Sequence, residues 1–342
     1  MCQSKEESST EETEVIKAAQ SFTLNTDEAR KRMEYFAATP HPFGSDRQQE
    51  LALWIFNEAA PAEGEGFLQE FTSDTPNPVL LKDAFAPADS VIKKNGRNVL
   101  MFSNISKQEK CLVLVGSHYD SKKIDGFDYL GANDSGSSSI LLLHLLKYFK
   151  TLNFQSNILC DIAMVWFDGE EAVLPQWDDG LKKHPARIQD NTYGSRAFVS
   201  ALQPCDFLGS KAKCFDKNGK LVPVVSLILL DMIGSENITI SQDSFSSTSQ
   251  NELLNLAFRK ILGLGKLSSF KQAIEDDHIP FIKNGISAID IIDFTHLDYW
   301  HLQGDEAAKI SYSSIEFIGK IAVFMALNNS ISPKEFFIYP DK

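Results

Sequence analysis

The sequence is short of several things, and each shortage excludes a class of protein. Five cysteines occur in 342 residues and none stands in a CxxC pair, so the spacing that thiolate zinc sites use is missing. The apolar runs, 140–143 and 227–230 among them, fall far short of the ~20 residues that cross a bilayer. Positive charge is scarce: 33 Lys+Arg stand against 46 Asp+Glu, a net charge of −13. Nucleic acid, whose phosphates want Lys and Arg, is therefore a poor partner, whereas a cation site suits the balance. No internal repeat appears, and 43% hydrophobic with 23% charged residues is a globular composition, not that of a disordered chain or a coiled-coil rod.

Residues 1–14, MCQSKEESSTEETE, are polar and acidic and read as a disordered tether. Cys2 followed by such a tether is similar to the mature start of a bacterial lipoprotein, with Met1 in place of the removed signal. That expectation puts the protein outside the cytoplasm, periplasmic or membrane-anchored through a lipid on Cys2; the competing reading is an ordinary Cys in a polar tail. No apolar stretch of an intact signal peptide follows Met1. Cys111 and Cys160, inside apolar runs, read as small core residues. Cys205 and Cys214 bracket a short loop and are either a pair or two free thiols.

Residues 15–342 read as one domain. Helical periodicity runs from 27 to 36, and Ser45-Asp46 offers an N-cap for a helix carrying Leu51, Trp54 and Ile55 on one face. The stretch 61–97 reads as loop with an edge strand at 67–71. Beyond it, strands are expected at 98–105, 111–117, 158–167, 224–232, 237–241 and 286–292. Helices are expected at 135–149, 192–202, 250–262 and 311–327. Strands alternating with helices specify an α/β three-layer sandwich with a central mixed, mostly parallel sheet.

The polar residues cluster where these strands stop. His118 and Asp120 follow one strand, Glu170 and Glu171 another, and Asp231 ends a third; Asp290 and Asp293 end the strand 286–292, with His301 just beyond. Sites in open α/β sheets form outside the carboxyl ends of strands. Crowded carboxylates repel unless a proton or a cation lies between them. His and carboxylate donors without cysteine point to catalytic Zn²⁺, while Mg²⁺ and Ca²⁺ favour all-oxygen shells. Each residue also has a plainer reading. Asp134 could cap the helix that follows it, Glu170-Glu171 could be a solvated turn, and His118 could be a satisfied buried histidine. His41, His144, His184 and His296 lack a matching context and read as structural or surface residues.

The motifs VGSHYDSK, GANDSGSS, WFDGEEA, YGSR, LLDMIG, EDDHIPF and YWH occur in this order. The set resembles the glutaminyl-peptide cyclotransferases of the zinc-dependent, aminopeptidase-like type, over residues 27–328. The resemblance implies conversion of the N-terminal Gln of peptides or proteins to pyroglutamate, with release of ammonia. It implies zinc on Asp134, Glu171 and His301, Glu170 as catalytic acid and base, and Asp231 and Asp276 as supporting acids. Trp300 and Trp177 would form the substrate pocket. The alternative is a zinc aminopeptidase of the same fold, in which His118 and Asp231 bind a second metal. Three departures stand out: Asp290 replaces a His of many animal cyclases, His296 an aromatic, and Ser117 and Ser139 a cysteine pair.

Overall fold

The computed structural model describes residues 2–59, 65–79, 91–184, 186–263 and 268–336. The chain opens with three helices, α1 (Cys2–Ser21), α2 (Thr26–Phe36) and α3 (Asp46–Glu58), then an antiparallel pair, β1 (Gly66–Pro76) and β2 (Val91–Phe102). Strand β3 (Cys111–His118), a π-helical turn (Ala132–Ser137), α4 (Ser138–Thr151) and β4 (Cys160–Phe167) follow, then α5 (Asp179–Lys182) and α6 (Tyr193–Ala201). A hairpin of β5 (Gln203–Phe207) and β6 (Ser210–Lys217) leads into β7 (Lys220–Asp231). The last elements are β8 (Ser241–Asp243), α7 (Thr248–Leu262), β9 (Ser268–Gln272), α8 (His278–Lys283), β10 (Ser287–Ile292) and α9 (Tyr312–Ile331).

Strands β4, β3, β7 and β10 lie side by side and parallel. Strands β2 and β1 extend one edge antiparallel, and the β5–β6 hairpin pairs with the first residues of β7. The parallel strands are apolar without interruption because both faces are covered. On β3, Val113 and Val115 face the cluster made with α4 and α9, while Leu112 and Leu114 face the cluster made with α6 and α8. Strand β4 repeats this, with Ile162, Met164 and Trp166 on the first side and Ala163, Val165 and Phe167 on the other. The period of two sorts each strand between the outer layers, and each fully buried Val, Leu or Ile contributes roughly 1.5–3 kcal/mol. The expected three-layer sandwich is what forms.

The differences from expectation have physical causes. Of the expected tether 1–14, the described residues 2–14 belong to α1. Val15, Ala18 and Ala19 are buried in the core, α1 lies along α9, and Glu14 accepts hydrogen bonds from the backbone N–H of Gln155 (2.5 Å) and of Ser156 (2.9 Å). Once that docked part has nucleated a helix, adding residues at its other end costs little. Strands β1 and β2 are much longer than the short edge strand expected within 61–97. Their exposed residues are polar or charged except Ile92, as suits strands near a sheet edge, so hydrophobicity alone understates them. The β5–β6 hairpin was not expected, and β8 is shorter and later than the expected strand at 237–241.

Cys111 and Cys160 are not free core thiols. They face each other across the β3–β4 register, Cα atoms 4.3 Å apart, and form a disulfide. Cys205 and Cys214 form the second, across the β5–β6 hairpin. No helix among the described residues is long and apolar enough to cross a membrane.

Candidate active site

The parallel strands stop at one edge, and the polar residues gather there. The WFDGEE segment turns sharply after β4 at Gly169 (φ +68°), where a side chain would strike the Phe43 ring. Asp120, just past β3, fixes the pair that follows: its carboxylate accepts the backbone N–H of Glu170 (2.9 Å) and of Glu171 (3.3 Å). Asp134 stands on the π-helical turn before α4. Gly131 opens that turn with φ +60°, and a Cβ there would meet the Asp134 carbonyl. The loop after β10 brings His301.

Asp134, Glu171 and His301 converge. His301 Nε2 lies 2.9 Å from Glu171 Oε1 and 3.5 Å from Asp134 Oδ2. A tetrahedral zinc with ligands at about 2.0–2.1 Å sets its donor atoms ~3.3 Å apart, so the spacing fits such an ion. Glu171 Oε2 is buried without a hydrogen-bond partner, 3.6 Å from the Lys122 ammonium. A second trio, His118, Asp134 and Asp231, shares Asp134. Here His118 Nε2 is 3.1 Å from Asp134 Oδ1 and 3.5 Å from Asp231 Oδ1.

Asp305 was not singled out in the sequence, yet it ties two of the site's segments together. Four residues beyond His301, it accepts the backbone N–H of Asn133 (2.6 Å) and of Asp134 (3.1 Å). Tyr129 also donates its hydroxyl to Asp134 Oδ2 (2.9 Å).

The electrostatics follow from burial. Glu170 is pushed well above the usual carboxylate range, first by desolvation and then by the charge of Asp276. Burial and the charge of Asp231 raise Asp276 to about 7. Burial raises Asp231 to about 6, against the pull of His118. Burial alone would lower His301, but Glu171 and Asp134 outweigh it and lift the imidazole to about 10. Burial would likewise raise Asp134, yet His118 and His301 hold it far below normal.

These shifts make a pH prediction. A carboxyl whose folded-state pKa is raised favours folding while protonated, and that contribution fades as pH climbs from the unfolded value toward the folded one. For Asp276 the window is about pH 4 to 7. Asp276→Asn removes this titration, so the metal-stripped variant should lose less thermal stability between pH 5 and 8 than the metal-stripped parent. Equal slopes in the two melting series would contradict the assignment.

Asp134, Glu170, Glu171, Asp231, Asp276, Trp300 and His301 all line one pocket. Its other wall is apolar, with Met232, Ile274 and Ile292 packed beside Phe294 and Trp300. The Trp300 ring stacks on His301 at 4.4 Å. Trp177 does not line the pocket; its indole N–H donates to Glu275 Oε2 (3.3 Å), and Glu275 does line it. Asp290 lies within β10 rather than at its end, wholly buried, with neither carboxylate oxygen hydrogen-bonded. Ser117 and Ser139, 22 residues apart in the sequence, sit 3.4 Å apart, Oγ to Oγ.

The glutaminyl-peptide cyclotransferase of Drosophila melanogaster is 27% identical over 248 residues, covering 66% of this chain and 63% of that protein. The Bos taurus glutaminyl-peptide cyclotransferase is 25% identical over 269 residues, covering 71% and 70%. The chain spans about three fifths of the length of several curated relatives, 60–63% in three of them. Two solved structures share the fold. An Acidobacteriales bacterium glutaminyl cyclase superposes with a TM-score of 0.70 at 24% identity, over 90% of this chain and 96% of that one. A leucine aminopeptidase precursor from Bacteroides thetaiotaomicron gives 0.68 at 18%, over 90% and 98%. The model of peptidase family M28 matches residues 98–326, a span that starts in β2, ends in α9 and contains every residue of the pocket; the chain belongs to that family.

Proposed function

We propose that the protein is a glutaminyl-peptide cyclotransferase acting on N-terminal Gln of peptides or proteins, with Asp134, Glu171 and His301 holding one zinc ion. The observation that carries this reading is the position of Glu170. It is buried, raised in proton affinity, absent from the ligand trio and close to Asp276, whose charge adds to that affinity. Bound zinc would supply Lewis-acid polarisation of the substrate's γ-carbonyl.

The chain's own residues do the rest. The reaction forms a bond between the α-nitrogen and Cδ of the Gln and breaks the bond from Cδ to the amide nitrogen. The attacking amine must lose a proton, and the departing amide nitrogen must gain one. Glu170 serves both needs in turn, taking the proton from the α-amine and returning it to the leaving nitrogen, which departs as ammonia. A carboxyl with a raised pKa is suited to hold a proton between those events. Asp276 sustains that affinity by like charge, and Asp231 acts in turn on Asp276. Phe294 and Trp300 wall the folded side chain and keep the reacting atoms together, away from competing water.

A zinc aminopeptidase is the second reading, favoured by the His118–Asp134–Asp231 trio. Metal analysis with paired substrates separates the two. One zinc per chain, ammonia from Gln-initiated peptides and little hydrolysis of Leu-amide are expected. Two tightly bound metals with rapid Leu-amide hydrolysis and no pyroglutamate would decide for the peptidase.

An exported location, periplasmic or anchored by a lipid on Cys2, belongs to the same proposal. Its support is the pair of disulfides, which persist in oxidising compartments and are rare in reducing ones.

A further inference from the structure

We propose that Glu275 and Trp177 form a subsite for a cationic side chain at the second residue of the substrate, so that Gln-Lys and Gln-Arg peptides are preferred over Gln-Glu and Gln-Asp. This rests on the cyclase reading of the same pocket. The Gln side chain and α-amine must reach Glu170 at the buried end, so the peptide leaves through the pocket's mouth and its second residue lies at the rim.

Among the residues lining the pocket, Glu275 alone is exposed. Its neighbours Asp276 and Asp277 are buried, so the three acids of the EDDHIPF segment divide between mouth and interior. The indole N–H of half-buried Trp177 holds the Glu275 carboxylate at 3.3 Å. A carboxylate fixed beside an indole offers a cation both an opposite charge and a π face.

Among the described residues, no cation already fills that role. No Lys or Arg lines the pocket. Lys122, the buried cation near the ligands, is spent on the Ala172 carbonyl (2.7 Å) and lies 3.6 Å from Glu171. Asp178, next to Trp177, is already paired with Lys182. Glu275 therefore keeps its charge for a ligand, and an acidic second residue meets repulsion.

The experiment measures kcat/KM of the zinc-loaded full chain for Gln-Lys-Ala, Gln-Ala-Ala and Gln-Glu-Ala peptides at low salt. A rim ion pair joined by a cation–π contact is worth about a five- to tenfold preference for Lys over Glu. The second residue is remote from the reacting atoms, so the preference should appear in KM rather than kcat. It should shrink in 0.5 M salt, where the screening length is ~4 Å. Glu275→Gln should reduce the ratio to about twofold or less, and Trp177→Phe, which keeps the ring but loses the N–H anchor, should reduce it partly. Equal kcat/KM for the Lys and Glu peptides, or a ratio that survives Glu275→Gln, overturns the subsite and leaves the cyclase reading standing. Failure to release ammonia from any of the three peptides overturns both.

Discussion

Glu170→Gln should fold, bind metal as the parent does and lose roughly 10²–10⁴ in turnover, the range that general acid–base catalysis supplies. The amide matches the carboxylate in shape but carries no transferable proton. The backbone N–H of residue 170 still bonds to Asp120, and the trio Asp134–Glu171–His301 does not include the substituted side chain. Burial of Glu170 is what raises its proton affinity, and a neutral amide at the same place escapes that ionisation cost. The variant should therefore be no less stable than the parent at pH 8. Near-normal turnover in Glu170→Gln would remove the assigned role, and loss of the metal would mean that residue 170 belongs to the ligand set.

The neighbouring acid has the opposite profile. Glu171→Ala and His301→Ala should each release the metal and abolish activity together. Each substitution leaves two donors of the trio, and the weakening should exceed the ~10–100-fold seen when only a supporting partner of a ligand is removed. The two variants differ in the metal-free state. His301 gains its proton affinity from Glu171 and Asp134, so Glu171→Ala should lower the pKa of His301, visible by NMR titration of the imidazole without metal. Full zinc occupancy in both variants would move the metal elsewhere, with the second trio around His118 as the candidate place.

The gathering of these acids at the strand ends was legible in the sequence. A run such as IAMVWF ending in DGEE says that a covered strand stops and that polar groups appear at its carboxyl end. The same logic marked His118 after β3 and Asp231 at the end of β7. In the structure those ends converge because the strands are parallel and adjacent. Residues 134, 171 and 301 entered through the motif resemblance, since strand ends alone do not rank one carboxylate above another.

What stayed hidden depends on register and on distance along the chain. Cys111 and Cys160 look like core residues in any one-dimensional reading. Only the pairing of β3 with β4 sets them opposite each other. Asp305 looks like a loop acid, and its partners lie more than 170 residues earlier in the chain. Asp290 has the same composition signal as Asp293, yet Asp293 bonds to Thr239, Thr295 and His296, while Asp290 is sealed in the sheet without a partner. The first helix was obscured because its opening residues are charged and its docked face, Val15, Ala18 and Ala19, covers only the last turns. Trp177 lies in a long charged loop, 173–191, whose path the sequence does not give, and the structure sets it beside Glu275.

The central claim is that Glu170 moves a proton within the substrate instead of activating water. Mass analysis of one Gln-initiated peptide after incubation with the zinc-loaded protein tests it most directly. The account predicts a product lighter by one ammonia, with the peptide chain intact and no oxygen from ¹⁸O-labelled water incorporated. A product shortened by its first residue, with free Gln released and label in its new carboxylate, would contradict it.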